Sequence, residues 1–517
     1  MDILNMTAVE LGERLRKREL SAPEALEEVY RAYRRRDSLW NAYAAFEIEA
    51  ARESARMAQS MLDNAAGGVL TGVPVGIKDN ISVKGNLTTC ASQILSGYRA
   101  PFDATAIRKL KAAGMVPAGT MNMDEFAMGS TSETSCYGPT RNPWNAERVP
   151  GGSSGGAAAA VAGRESVCCL GSDTGGSVRQ PASYCGVTGF KPSYGRVSRY
   201  GLIAYGSSLD QIGPLARDVR DCAAILDVIC GPDASDATSA TFPDSGFLSA
   251  LDGNVKGLRV GIPEECFGDG VESDVQERVR EFVRELERAG AQAVPISLPF
   301  IRYAVPTYYI LATAEASSNL ASFDGVKYGF RARHYTTTED LYVRTRSEGF
   351  GREVRRRILL GTFVLSSGYY DAYYNKALKM KQSVVEGFAE AFGRCDVMAL
   401  PTSPIAAPAL GSSLSDPLKM YLSDIFTVSA NLAGLPGLSV PCGFDRRGLP
   451  VGAQLLGPSG ADCAVLNAGY AYQRATDWHT RRPNIEPETR PESEPEARRN
   501  VGAETGPESG EEATENA

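Results

Sequence analysis

An α/β layer fold is what this sequence predicts, and three observations carry the prediction. Short strand-like runs alternate with helix-competent stretches through residues 73–191. The same strand–helix–strand rhythm returns at residues 257–300. Hydrophobic residues make up 43 % of the 517 positions, enough for a large core.

In chain order, residues 1–65 read as helical. Thr7-x-x-Glu10 and Ser21-x-x-Glu24 both fit a capping box, and each opens a run of helical apolar spacing (Leu11, Leu15; then Leu26, Val29, Tyr30, Tyr33). Arg34–Arg36 read as a solvated helix end. Val73, Val75 and Ile77 alternate as a strand interrupted by Pro74 and Gly76, with Lys78 at its end. A short helix at 104–113, a strand in MVPAG, an acidic loop MNMDEFAMGSTSET and a small-residue helix at Ala157–Val161 follow, then the apolar strand VCCLG. LRVGIP and AQAVPISL flank a helix whose face is Val275, Val279, Phe282, Val283 and Leu286. Residues 305–395 read as helical and aromatic-rich, the aromatics assigned to packing. Residues 396–460 return to strands, and a last helix precedes position 483. The segment 483–517 is rich in Pro, Glu, Gly, Ser and Thr and is expected to be a disordered acidic tail. The body then divides into a helical segment 1–65 packed on a catalytic unit 66–482.

Charge and composition exclude several classes. The tail holds ten Glu against three Arg, so it carries seven of the eight net negative charges and leaves the body near neutrality. That body lacks the basic excess of a protein that grips nucleic acid alone. No apolar run is long enough to span a bilayer and no charged-then-apolar leader opens the chain, so a soluble, cytoplasmic protein is expected. Eleven cysteines without a CxxC pair read as reduced core residues, and two histidines, His334 and His479, are too few for a Cys/His zinc site. Gly189-Phe190-Lys191 runs into Pro192 and makes no P-loop. No metal or organic cofactor is expected in this chain.

The chemistry concentrates between Val149 and Pro192. Two glycine-embedded serines, Ser153 in GGSSGG and Ser177 in DTGGSVR, stand 24 residues apart. Glycine beside a serine lets backbone N–H groups converge on one oxygen. Gly151-x-Ser153-x-Gly155 formally matches a nucleophile elbow, but that motif requires a histidine base and the supply is poor. A buried, neutral lysine can take that role, since burial lowers an amine pKa. Lys78 is placed for it, although local sequence alone favours a surface lysine at a strand end, paired with Asp79.

Lys78 in GVPVGIKDN, Ser153 in PGGSSGG and Ser177 in GSDTGGSVRQPA resemble, in order and spacing, the amidase signature family, whose members hydrolyse amides with a Ser–cis-Ser–Lys triad. The likeness reverses the local reading of Lys78. MNMDEFAMGSTSE, AEASSNLASFDGVKYG, RRRILLGTFVLSSGYYDAYY and YLSDIFTVSANLAGLPGLSVP are similar to the branch of that family that serves tRNA-dependent amidotransferases, over residues 1–480. The resemblance implies a large mixed β-sheet covered by helices on both faces. It implies Ser177 as nucleophile, Ser153 as a bridge to Lys78 with a cis Gly152–Ser153 peptide, and backbone N–H groups of Thr174, Gly175, Gly176 and Ser177 around the oxyanion. Arg357 and Asp424 match the positions that hold the carboxylate and ammonium of glutamine, Tyr308 a pocket tyrosine, and Gly129 and Ser130 join them as pocket candidates. Without the likeness, Arg357 reads as one more solvated arginine of the Arg355–Arg357 run and Asp424 as a helix cap.

The implied activity is the release of ammonia from glutamine for conversion of Glu-tRNA(Gln), or also Asp-tRNA(Asn), to the amidated form. The implied partners are a B subunit with ATP, Mg and most of the tRNA contact, and a C subunit completing a heterotrimer. Two other readings compete: a stand-alone amidase for small amides, and a non-catalytic scaffold. The amino-acid clamp speaks against the first, the intact Lys78, Ser153 and Ser177 against the second.

Overall fold

Eleven strands pair into one mixed sheet in the computed structural model, which describes residues 2–243, 246–414 and 417–485. The expectation of disorder from Pro483 onward falls almost wholly outside the described residues. The strands are β1 (Tyr43–Ala45), β2 (Pro74–Lys78), β3 (Val116–Met121), β4 (Cys168–Asp173), β5 (Thr188–Lys191), β6 (Gln211–Ala216), β7 (Arg259–Pro263), β8 (Gln292–Ile296), β9 (Val397–Pro401), β10 (Gly437–Phe444) and β11 (Pro450–Leu456). Their order is β1-β3-β2-β4-β6-β5-β10-β11-β9-β7-β8. β2 lies parallel between β3 and β4, and β7 parallel between β8 and β9; the remaining pairs are antiparallel.

Side chains two apart on a strand share a face, and β4 makes the layering visible. Cys168 and Leu170 enter one core with the helices Thr105–Ala112 and Val219–Ile229. Cys169 enters another with the helices Gly155–Ala162 and Arg179–Cys185. β9 splits the same way, Val397 and Ala399 joining the helix Ser273–Arg288, Met398 and Leu400 the helix Ala304–Asn319. A strand covered on both faces leaves no polar side exposed, which is why all five residues of β2, Lys78 included, are buried.

Both capping boxes form, Thr7 with Glu10 and Ser21 with Glu24. The segment 1–65 is not wholly helical: Tyr43–Ala45 is an edge strand paired with β3, so this segment shares the sheet instead of only lying against it. Tyr33, Tyr43 and Phe46 pack ring on ring there, with centroids 4.9–5.6 Å apart. Arg34–Arg36 fall near the end of their helix, which runs to Trp40, but only Arg35 is exposed; the Arg36 guanidinium donates to the Arg164 carbonyl at 2.6 Å. The aromatic-rich region divides. Tyr308 is buried and Tyr309 half-buried, whereas Phe363, Tyr369, Tyr370 and Tyr373 are exposed, so packing accounts for only part of it. All eleven cysteines are free, eight of them buried. Among the described residues, no helix is long and apolar enough to cross a membrane, and no His/Cys/Asp/Glu cluster could hold a metal ion.

Candidate active site

The carboxyl ends of the parallel strands β2 and β4 open side by side, the place where α/β sheets commonly bind ligands. Lys78 is the last residue of β2, and Asp173 ends β4 with the Thr174–Ser177 turn directly after it. Ser153 lies in the turn that enters the helix Gly155–Ala162.

Lys78 is fully buried. Its Nζ lies 2.7 Å from Ser153 Oγ, 2.9 Å from Ser154 Oγ, 3.0 Å from Ser172 Oγ and 3.3 Å from the Ser172 carbonyl oxygen. No carboxylate is among these partners. Burial pulls the amine down to about 7, and the more distant Asp124, Asp173 and Asp210 only partly oppose it. The pairing with Asp79 is not made. Asp79 instead accepts from the N–H groups of Thr89 (2.8 Å) and Ala91 (2.9 Å), with burial holding its carboxyl up at about 7.

Ser153 is reached through a cis Gly152–Ser153 peptide. The backbone there has no room for side chains: a Cβ on Gly152 would lie 2.1 Å from Asp124 Oδ2. Gln180 ties this turn to the neighbouring loop, accepting from Gly152 N–H (3.0 Å) and donating to the Ser130 carbonyl (2.9 Å). Ser177 stands on the adjoining turn, its carbonyl accepting from Ser154 N–H at 3.1 Å. Its hydroxyl makes no hydrogen bond to another described residue, and the residue as a whole is 8 % exposed.

A buried ion pair fixes the Asp173–Ser177 turn. Arg179 Nε and Nη2 each lie 3.0 Å from an oxygen of Asp173. Arg179 further donates to Gln454 (2.6 Å), Asn431 (2.6 Å) and the Thr427 carbonyl (3.1 Å). Burial raises the Asp173 carboxyl, and Arg179 more than reverses it, leaving the group well below the usual carboxylate range. Gly176 departs from its expected part in the oxyanion site, because its N–H donates to Asp173 Oδ1 at 2.8 Å. Its φ of +129° and a virtual Cβ 2.2 Å from Thr427 Oγ1 restrict the position to glycine. Among the described residues, the N–H groups of Thr174, Gly175 and Ser177 stay open. Thr174 is held by its own hydroxyl, which donates to Asp210 at 2.6 Å.

The pocket residues gather beside this turn. Tyr308 packs so closely that a Cβ on Gly175 would lie 2.7 Å from its hydroxyl. Arg357, on the helix Arg352–Leu365, is 2 % exposed. Its Nε donates to Glu353 (2.8 Å) and Nη1 to the Tyr205 hydroxyl (2.6 Å), and its guanidinium sits 5.1–5.6 Å from the ring centroids of Tyr205, Tyr309 and Tyr421. Burial works against the guanidinium, but Tyr205, Tyr309, Glu353 and Tyr421 outweigh it and keep the pKa well above its ordinary value. Asp424 is buried and accepts from the Ser130 hydroxyl; burial lifts its carboxyl to about 7 against the pull of Ser130 and Arg357. Gly129 packs on Asp124, whose carboxylate accepts from Ser132 N–H at 2.9 Å and anchors the 129–132 loop.

Sequence reasoning missed Asp124, Gln180, Glu353, Tyr205, Tyr309, Tyr421, Thr427 and Asn431. Their signal is spatial, since each acts across more than 20 residues or from a helix whose inner face periodicity alone does not identify. Glu353 was accessible, standing four residues before Arg357 on one helix face. His334 lies exposed in the loop before the helix Thr338–Gly349, not within a helix.

The model for the amidase family matches residues 24–466. The A subunit of the glutamyl-tRNA(Gln) amidotransferase of Lachnospira eligens is 55 % identical over 478 residues, covering 92 % of this chain and 99 % of that protein. The crystal structure of the A subunit of a glutamyl-tRNA(Gln) amidotransferase from Thermotoga maritima shares 43 % identity with a TM-score of 0.74, covering 90 % of this chain and 94 % of its own. A native peptide amidase from Stenotrophomonas maltophilia shares 27 % identity with a TM-score of 0.80, covering 93 % and 99 % respectively.

Proposed function

This chain belongs to the amidase family, and from that premise we propose that it is the ammonia-generating subunit of a tRNA-dependent amidotransferase, hydrolysing glutamine to amidate Glu-tRNA(Gln). The observation that carries the chemical reading is a dry lysine whose hydrogen-bond partners are hydroxyls and a carbonyl, with no carboxylate to hold it as a cation.

At a pH above about 7, Lys78 is a neutral base. It takes the Ser153 proton while Ser153 takes the Ser177 proton, and Ser177 Oγ bonds to the side-chain amide carbon of glutamine. The open N–H groups of Thr174, Gly175 and Ser177 are the donors for the oxyanion, each such donor contributing about 3 kcal/mol to the barrier reduction. Collapse breaks the C–N bond; the proton held by Lys78 returns through Ser153 to the nitrogen, and ammonia leaves. Water then attacks the acyl-enzyme by the same relay and releases glutamate. Arg357 holds the substrate α-carboxylate through Nη2, the guanidinium nitrogen that neither Glu353 nor Tyr205 takes. Asp424, oriented by Ser130, takes the α-ammonium, and Tyr308 walls the pocket against Gly175.

ATP and Mg belong to a partner B subunit, a C subunit completes a cytoplasmic heterotrimer, and the misacylated tRNA is held mainly by the partner. In the complex, Ser177→Ala is expected to abolish glutamine-dependent amidation of Glu-tRNA(Gln) while sparing amidation from added ammonium. Glutaminase activity surviving in that variant overturns the nucleophile. Vigorous hydrolysis of unrelated aryl amides by the lone chain, with no response to partners, would favour a stand-alone amidase.

A further inference from the structure

The segment Leu359–Val385 carries more exposed large apolar side chains than any other described stretch of similar length. Of the twenty large hydrophobic residues exposed among the described positions, eight fall between Leu359 and Val385. Leu359, Leu360 and Phe363 stand on the outer side of the helix Arg352–Leu365, Leu359 being 71 % exposed. Phe363 meets Tyr369 at a centroid distance of 4.3 Å and Tyr373 at 5.9 Å, so the patch is contiguous. A π-helical turn, Tyr370–Tyr374, presents the second half of it; such turns recur at functional positions.

The surround is basic. Residues 352–385 hold seven Lys and Arg against two acids, in a body that is nearly neutral overall. One acid, Glu353, is buried and engaged by Arg356 and Arg357. Arg352, Arg355, Lys376 and Lys379 are exposed and make no ion pair with a described residue. Aromatic and leucine side chains at the centre with cations around them is the anatomy of a protein interface, apolar in the core and polar at the rim. A surface that tracks phosphates would instead put its cations at the centre and has no use for Leu359, Leu360 and Leu378.

We propose that the face built by Leu359, Leu360, Phe363, Tyr369 and Tyr373 is the docking surface for another component of the amidotransferase, one presenting an apolar patch rimmed by carboxylates. This rests on the function proposed above. The helix that bears the patch carries Glu353 and Arg357 on its inner side, so a protein seated there braces the element that positions the carboxylate clamp.

The test uses the full chain with Leu359→Asp and Tyr373→Asp, two exposed positions outside the catalytic and pocket machinery. Its binding to the purified B and C subunits of the same organism is measured beside the unsubstituted chain, together with glutaminase activity of each chain alone. The expected result is at least ten-fold weaker binding to those subunits with unchanged lone-chain glutaminase. Unchanged affinity for both overturns the docking surface and leaves the proposed function standing. Failure of the unsubstituted chain to bind either one overturns both the surface and the function. Substitutions that weaken only self-association, or only binding of Glu-tRNA(Gln), overturn the surface in favour of a second copy or of nucleic acid.

Discussion

Among the buried cationic side chains of the described residues, Lys78 and Arg357 are treated in opposite ways. Lys78 is surrounded by serine hydroxyls and a carbonyl, and burial brings it to about 7. Arg357 is equally dry but has Glu353 at 2.8 Å and three tyrosine rings around it, so it stays charged. Desolvation acts on both; what differs is whether a carboxylate sits in contact. A group that must pass a proton back and forth needs the first arrangement, and one that must hold a carboxylate needs the second. Lysine suits the first because its pKa yields to burial, and arginine the second because its pKa does not.

The sharpest way to break this contrast is Lys78→Arg, which puts a permanent cation into the proton-relay position. Glutaminase kcat should fall by about 10⁴-fold or more, as for loss of a member of a catalytic unit; retention of more than a hundredth of the activity would refute a deprotonated Lys78. Next is Asp173→Asn, which leaves Arg179 buried without its counter-charge and should cost about 3–5 kcal/mol of stability, read from the urea midpoint. The reciprocal substitution Arg357→Lys keeps the charge and loses the fork. It should raise the KM for glutamine about 10–100-fold with kcat within a few-fold, in line with the loss of about 1.5–3 kcal/mol of charged hydrogen bonding. An equal loss in kcat would place Arg357 in the chemical step and dissolve the contrast.

The smallest effect is in the pH profile. Lys78 and Asp424 both titrate at about 7, and the active form needs both deprotonated, one to accept a proton and one to hold an ammonium group. Protons therefore inhibit twice, and kcat/KM, which reports the free enzyme, should fall with a slope approaching two below pH 7. In Asp424→Asn, the slope of the residual activity should drop to one. A slope of one in the unsubstituted enzyme means that one of the two groups is already in its working form.

Local physics made much of the fold legible. Alternation in Val73–Ile77, the small residues of Gly155–Ala162 and the capping boxes at Thr7 and Ser21 each depend on neighbours within a few positions. The glycines around Ser153 and Ser177 likewise marked the place where backbone must come close. Edge strand β1 was not legible, because three residues between two helices carry no period and only the open side of β3 makes Tyr43–Ala45 extended. Phe363 and Tyr373 read as core by composition, yet nothing in the sequence says which side of a helix meets the sheet.

By itself, then, the sequence determined most of the helices and strands, though not β1, and where glycine and serine crowd together, since those follow from φ/ψ preference and side-chain periodicity. Whether Lys78 ends a surface strand or a buried one, and whether Arg357 is solvated or sealed under tyrosines, was decided only when β2 took its place between β3 and β4 with helices on both faces, and the helix Ala304–Asn319 packed against Arg352–Leu365. The charge state of a side chain depends on how much water the fold removes from it and which opposite charge the fold leaves in contact, and both are set by residues distant along the chain.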